Sequence, residues 1–451
     1  MAPSFEVTPS GARVQIRFFI WKRPVAWLLD KKLGRDFWVF FAIAFFWDFG
    51  FSVYVFLFNL YLLDFHFNER AMGLVGGALT LGSVAGTLPV GWLARRTGLR
   101  PLLALSMIAA PLMGVARVLV MWEPAQIGMA FVAGLAMCVW GVCFLPALAR
   151  VTTVENRASG MSLIFSVAVG TSALGGLICS YLPSWLNRIG FEMQPAELKR
   201  LVLLASCGIA FVGLLPLLSL KLPLQPNELP PRDGNPKRAW KISPFLLGFL
   251  PSMALWTAVL ASFTPFANVY LSKDLHVPFA RIGLIFSAAQ VVQLFVTLLA
   301  PKVFRSLGLV NGIAAIQVVT AIALACLAGS HQQGLAVALF LSFSALQWMS
   351  APGQYTLLMS AVPDQERSSA AAMTMFCNAV FQSCATAGAG MLFAQFGYPL
   401  VMLGISGIAL TAAMLFRFLV AGPYRLQTDS GLSRCGNLEV QWSAEDVSSA
   451  K

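Results

Sequence analysis

Identical residues recur along this chain at one fixed interval. At a spacing of 210, Asp64, His66, Gly73 and Leu74 match Asp274, His276, Gly283 and Leu284. Arg95, Gly98 and Leu99 likewise match Arg305, Gly308 and Leu309, and Arg157 and Ser159 match Arg367 and Ser369. At a spacing of 209, Trp47, Asn59, Tyr61 and Leu62 match Trp256, Asn268, Tyr270 and Leu271, so the copies differ by one residue in the loop that follows. The chain is two copies of a unit of half its length. Duplicated apolar bundles are a plan of membrane transporters, with the binding site between the repeats.

The solvent of each copy follows from its side chains. Hydrophobic residues make up 58% of the chain, charged residues 11%, and the mean hydropathy is +0.75. Soluble domains carry about 25% charged residues. In a bilayer core only helices and closed barrels satisfy their backbone. The apolar runs are long and do not alternate, which excludes a barrel with its dyad pattern.

Spanning the hydrocarbon takes ~20 apolar residues. Twelve candidate spans follow: 37–63, 71–94, 101–121, 125–149, 158–182 and 200–221, then 243–272, 278–300, 308–329, 334–360, 367–395 and 397–421. The expected fold is an all-α integral membrane protein of two pseudo-symmetric six-helix bundles, 37–221 and 243–421. Residues 1–36 form a basic N-terminal segment, 222–242 a Pro-rich linker and 422–451 a Ser-rich, disordered tail.

Charge gives the orientation. Most of the 31 Lys and Arg fall on the side of the termini, among them Arg13, Arg17, Lys22, Arg23, Arg96, Lys237 and Arg238. Only Arg70, Arg188, Lys199, Arg200, Lys273 and Arg281 fall opposite, and Arg117 stands late in the third span, where snorkelling is expected, with a substrate role as the alternative. Positive loops are cytoplasmic, so both termini are expected in the cytoplasm. The net charge of +12 is then topological and calls for no nucleic acid. The leader is too basic to be a cleaved signal peptide; Val25–Leu33 either lies along the membrane surface or simply sets topology. None of the eight cysteines has metal-ligand spacing with histidine, and they read as small apolar packing residues.

The loop between spans two and three reads Gly91-Trp92-Leu93-Ala94-Arg95-Arg96-Thr97-Gly98-Leu99-Arg100, with an echo in Arg305 to Gly308. This resembles the G-x-L-A-D-R-x-G-R-K signature of the major facilitator superfamily. Glu155 to Gly160 and Asp364 to Ser369 resemble the loops before spans five and eleven of that family. The resemblance covers about residues 37–421. It implies a monomeric secondary transporter with one central site reached alternately from each side. Arg95 and Arg305 stand where the family has an acceptor Asp, so the usual cytoplasmic charge latch does not carry over. Gly170 to Gly176 keeps a double Gly of the antiporter signature but lacks its Gly-Pro.

Asp48 is the sharpest candidate. It lies eleven residues into the first span, ~16 Å deep at ~1.5 Å per residue, about the bilayer midplane. A charge there costs ~2.5–3.5 kcal/mol on insertion scales. Such a carboxyl carries a coupling proton, meets a cationic solute, or is held protonated within the bundle. Its counterpart is Thr257, beside the shared Trp256. Polar residues stack on other spans at spacings that return to one face: Asp48, Ser52 and Asn59; Ser287, Gln290, Gln293 and Thr297; Gln347, Ser350 and Gln354; Thr374, Asn378 and Gln382. Such stripes line a wet cavity or glue helices together. Trp140, Trp256 and Trp348 are candidate cavity walls, with packing within the bundle as the alternative for each. Asn59-Leu60-Tyr61 and Asn268-Val269-Tyr270 end spans one and seven, as an outer gate or as caps and anchors.

There is no phosphate-binding Gly-Lys-Ser/Thr loop, no catalytic triad and no filter-like loop, so an ATP-driven pump, an enzyme and a channel are disfavoured. No cofactor is expected, with the proton gradient as energy source. The expected function is proton-coupled export of an amphipathic solute across a bacterial-type inner membrane. Uptake symport, uncoupled facilitation and a non-transporting receptor or scaffold are the alternatives.

Overall fold

The computed structural model describes residues 33–420 apart from 154–155, 189–193, 221, 223–243, 331 and 363–366. The expected leader (to residue 32), nearly all of the linker and the tail lie outside the described residues.

The first half holds α1 (Arg35–Asp64), α2 (Glu69–Thr97), α3 (Leu99–Leu119), α4 (Glu123–Val151), α5 (Arg157–Arg188), and α6 (Pro195–Val212) continued by α7 (Leu214–Ser219). The second holds α8 (Pro244–Phe263), a 3₁₀ turn at Thr264–Phe266, α9 (Ala267–Lys273), α10 (Phe279–Leu307), α11 (Leu309–Ala328), α12 (Gln333–Gln347), α13 (Ala351–Ala361), α14 (Arg367–Phe396) and α15 (Tyr398–Val420). Three expected spans are thus interrupted, span six by the single residue Gly213 between α6 and α7. Span seven is α8, the turn and α9; span ten is α12 and α13. Pro265 and Pro352 lack the N–H that an unbroken helix needs at those places.

Eleven helical stretches among the described residues are long and apolar enough to cross a membrane. The twelfth, α14, has the length but is too polar to qualify. It packs between α2 and α8, and its hydroxyls bond across to them: Ser383 donates to the Gly77 carbonyl and Thr386 to that of Ala261.

Duplication is written into the backbone. Gly98 and Gly308 take φ of 85° and 79° where α2 turns into α3 and α10 into α11. His66 and His276 take φ of 62° and 50° after α1 and α9. Left-handed backbone at equal places in both copies marks the same turns, which suit glycine and cost a side chain more.

The apolar core defines the shape. At the end away from the termini one cluster joins the halves: Val53, Leu57, Tyr61 and Val202 pack with Trp256, Phe263, Phe266 and Phe393. At the terminal end the halves have separate cores. One contains Phe37, Phe40, Ile43, Trp47 and Leu148; the other contains Phe245, Phe249, Met253, Ile313 and Phe416. Two bundles that share a core at one end and not at the other enclose a cleft that opens toward the termini.

Candidate functional site

The closed end is sealed by backbone contact between halves. Gly176 and Gly283 are so close that a Cβ on either would meet the other's carbonyl, and a Cβ on Gly73 would lie 2.8 Å from the Thr386 carbonyl. Small residues permit such approach. Ser287 donates to the Ala173 carbonyl at 2.6 Å.

Two asparagines complete the seal symmetrically. The Asn59 amide donates to the Pro265 carbonyl at 2.7 Å, and the Asn268 amide donates to the Phe56 carbonyl at 2.7 Å. These residues match at the repeat spacing, so each copy uses the same side chain on the other copy's helix. Outside them Lys273 pairs with Glu69 at 2.6 Å across the halves, and Lys199 pairs with Asp64 at 2.8 Å within the first. Sequence reasoning missed both ion pairs because neither is local.

Asp48 stands where the cleft ends. Trp47 belongs to the core of the first half and Val53 to the shared core. Asp48 precedes Asn59 by eleven residues, three turns, so both lie on the α1 face that looks at the second half. The acid therefore faces the cleft and not the lipid. Among the described residues no hydrogen bond or ion pair reaches its carboxyl, which is half-buried. Thr257 occupies the matching level in the second half, between Met253 of the separate core and Val259 of the shared one.

The stripe on α10 looks across at them. Gly283 and Phe286 touch Gly176 and Phe56 of the first half. Gln290, Gln293 and Thr297 continue that face toward the open end, and all three are half-buried. Ser52 is tied up, its hydroxyl within reach of the Phe49 and Thr171 carbonyls at 3.1 and 3.3 Å. Gln347 is buried where α12 breaks, and its Oε1 accepts from Thr264 at the break in span seven, 3.0 Å away. Close to that break Ser350 Oγ and Gln354 Nε2 are buried with no hydrogen-bond partner among the described residues, as is Asn378 Oδ1 on α14. Gln382 is exposed.

Of the candidate cavity walls, Trp140 and Trp256 take the packing alternative. Trp140 is buried against Trp47 and Phe40, with ring centroids 5.0 and 6.2 Å apart. Trp256 is 2% exposed in the shared core. Only Trp348, at the α12 break, is exposed. Arg117 corrects a further expectation. It does not snorkel, because Gln126 folds back to accept from its Nε and donate to its carbonyl, and it is 5% exposed.

At the open end Gly91 has open space around its Cα, and the Arg96 guanidinium lies 3.9 Å over the Trp92 ring. Arg100 donates to the Leu218 carbonyl at 2.7 Å and Arg305 to that of Pro301 at 3.3 Å. Arg100 thus caps the C-terminal end of α7, a favourable place for a cation.

By sequence, no curated protein matches this chain. Among solved structures it is similar to the nucleoside transporter NupG, at TM-score 0.70 and 14% identity over 86% of this chain and 99% of that one. It is similar to a D-xylose-proton symporter at TM-score 0.69 and 15% identity, over 85% and 97%. A bacterial homologue of the human lysosomal transporter Spinster, inward-facing and unoccupied, matches at TM-score 0.66 and 14% identity, over 88% and 98%. The family model described as Major Facilitator Superfamily matches residues 39–386. A duplicated twelve-helix bundle, a cleft between its halves and that match together place the chain in the Major Facilitator Superfamily.

Proposed function

We propose that this protein carries a small amphipathic organic solute across the cell membrane by alternating access, in exchange for protons that bind Asp48. The observation that carries this reading is a lone carboxyl at the vertex of the cleft, facing the opposite half with no partner among the described residues. A carboxylate at that depth is costly. A proton or a cationic group on the solute relieves the cost, and each half-cycle of the transporter brings one or the other.

The charge rule places the open end in the cytoplasm, so the cleft faces the side from which an exporter loads. Its walls suit a mostly apolar solute. Gln290, Gln293 and Thr297 offer hydrogen bonds, and aromatic rings such as Phe45, Phe49 and Phe56 fill α1 between the polar positions. The cleft lies within one chain, so a monomer suffices. The D-xylose-proton symporter among the similar structures couples this fold to protons in its own case.

The test is counterflow in proteoliposomes of a labelled solute chosen by thermal-shift screening, with and without an imposed pH gradient. Asp48→Asn should hold uphill accumulation at the level of empty liposomes while exchange at equal concentrations persists. Undiminished gradient-driven accumulation in that variant would refute the coupling role.

A further inference from the structure

A small cavity lies inside the first half, among α1, α3, α4 and α6. Its volume is about 40 Å³, and Phe51, Tyr54, Gly114, Arg117, Met137 and Cys207 are among the residues that line it. One water takes ~10–15 Å³ of such space, so the cavity has room for about three waters, or for one small ion and its water. It is too small for a solute with a carbon chain.

The arginine makes this cavity unlike a packing defect. Arg117 is 5% exposed, and no carboxylate among the described residues pairs with it. Gln126 Oε1 accepts from its Nε at 3.4 Å, and the Phe58 ring centroid lies 4.2 Å from its Cζ. Neither Nη has an acceptor among the described residues. The other polar side chains of the cavity are hydroxyls and a thiol, which are neutral at pH 7. Tyr54 and Ser206 donate their hydroxyl protons to the Gly114 and Leu203 carbonyls. Water in the cavity would solvate the guanidinium and leave its charge unbalanced. A buried cation without a counter-charge is strongly destabilising.

The other copy shows the same place without the charge. At the repeat spacing Gly114, Arg117 and Gln126 become Leu324, Leu327 and Ala336, each 0% exposed, and Ala133 becomes Phe343, 1% exposed. Apolar side chains fill the second half where the first has a cavity and a cation. Packing alone therefore does not require the arginine.

We infer that the cavity holds one chloride ion against the two free Nη atoms of Arg117. A monatomic anion is little larger than a water and fits the space. It balances the buried charge and accepts charge-assisted hydrogen bonds from both nitrogens. The walls given by Phe51 and Met137 offer it no competing donor, so the guanidinium alone holds it. The ion neutralises the interior of the first half, as leucine does in the second.

Melting of the purified full-length protein tests this, with sodium gluconate replaced stepwise by sodium chloride or bromide at constant ionic strength and pH. The melting temperature should rise by about 3 °C or more and then level off, because a ligand of the folded state stabilises by mass action. Gluconate is too large to enter. Arg117→Leu, which copies the second half, should melt at the same temperature in chloride and in gluconate. Crystals grown in bromide test the site without any variant, and decide the matter if Arg117→Leu fails to fold: an anomalous peak is expected beside the Arg117 Nη atoms. No rise with halide, a rise that Arg117→Leu retains, or a cavity that holds only water in bromide would overturn the assignment. Melting is read without any gradient, so the ion stands or falls apart from the role of Asp48.

Discussion

The two halves share a plan and differ in how they execute it. In the first, spans one and four are single helices of 30 and 29 residues. In the second, the corresponding spans are each broken, at Thr264–Phe266 and between Gln347 and Ala351. The first half has Val55-Phe56-Leu57 where the second has Thr264-Pro265-Phe266, so one proline separates a continuous helix from a bent one. The first half also carries half-buried Asp48 and buried Arg117 where the second has Thr257 and Leu327. Duplication has been followed by division of labour: the first half holds charge on helices α1 and α3, which run unbroken, while the second breaks spans seven and ten. Broken helices in transporters are tolerated where their freed backbone groups find partners; here Asn59 donates to the Pro265 carbonyl, while Gln347 ties down the Thr264 side chain beside it.

The largest effect expected from this contrast is on folding. In the first half α2 and α4 touch through glycine: a Cβ on Gly134 would strike the Leu79 carbonyl, and one on Gly82 the backbone of Phe131. At the matching places the second half has Val292 and Ser344. Gly134→Val should cost the upper end of the ~1–3 kcal/mol typical of overpacking, or more. Ser344→Val should cost less than half of that. Melting temperatures of the two variants in one detergent compare them. Equal losses would mean that both halves are clamped alike.

The next effect is on coupling. Asp48→Asn should abolish gradient-driven accumulation, whereas Thr257→Val, at the mirrored level, should leave accumulation within about twofold of the parent protein. Loss of coupling in both would show that the proton path runs through both halves.

How much of this was legible in the sequence follows the same division. Composition and the 210-residue interval dictate a doubled helical bundle, because apolar length and repetition are properties of the chain alone. Asp48 was legible for a similar reason: a charge deep in an apolar run is conspicuous wherever its face points. Trp140 and Trp256 stayed open between two roles because an aromatic on a cavity-type span looks the same whether it lines the cavity or packs behind it. Arg117 was misread because depth along α3 says nothing of Gln126, which turns back from the next helix to hold it. The breaks at Pro265 and Pro352 carried a signal, proline inside a span, that hydropathy alone averages away.

A smaller effect concerns the seal. Asn59→Ala and Asn268→Ala each remove one hydrogen bond between halves, worth ~0.5–1.5 kcal/mol. Hydrogen exchange of residues 56–62 and 264–271 should quicken by about fivefold in each variant, since ~1 kcal/mol is about that factor at room temperature. Symmetry predicts equal effects. A several-fold larger effect for Asn268 would mean that the seal rests on the continuous helix α1 as an anchor and is not shared evenly.

The smallest effect tests the origin of the break itself. If Pro265 causes the 3₁₀ turn, then Pro265→Ala restores an N–H and lets α8 run into α9, as Phe56 lets α1 run on. The carbonyl of residue 265 would then be drawn into the helix ladder and away from Asn59. Amides 266–270 should exchange a few-fold more slowly. Adding Asn59→Ala to that variant should then change little, because its partner is already gone. Residues in contact give coupling of ~0.5–3 kcal/mol in such cycles, whereas independent sites add within ~0.3–0.5 kcal/mol. Additive effects would mean that the turn persists without its proline and is held by Gln347 and the packing of Phe266 on Phe393, which lie 5.2 Å apart by ring centroid. In that case the joint belongs to the second half's tertiary structure and not to one residue of its sequence.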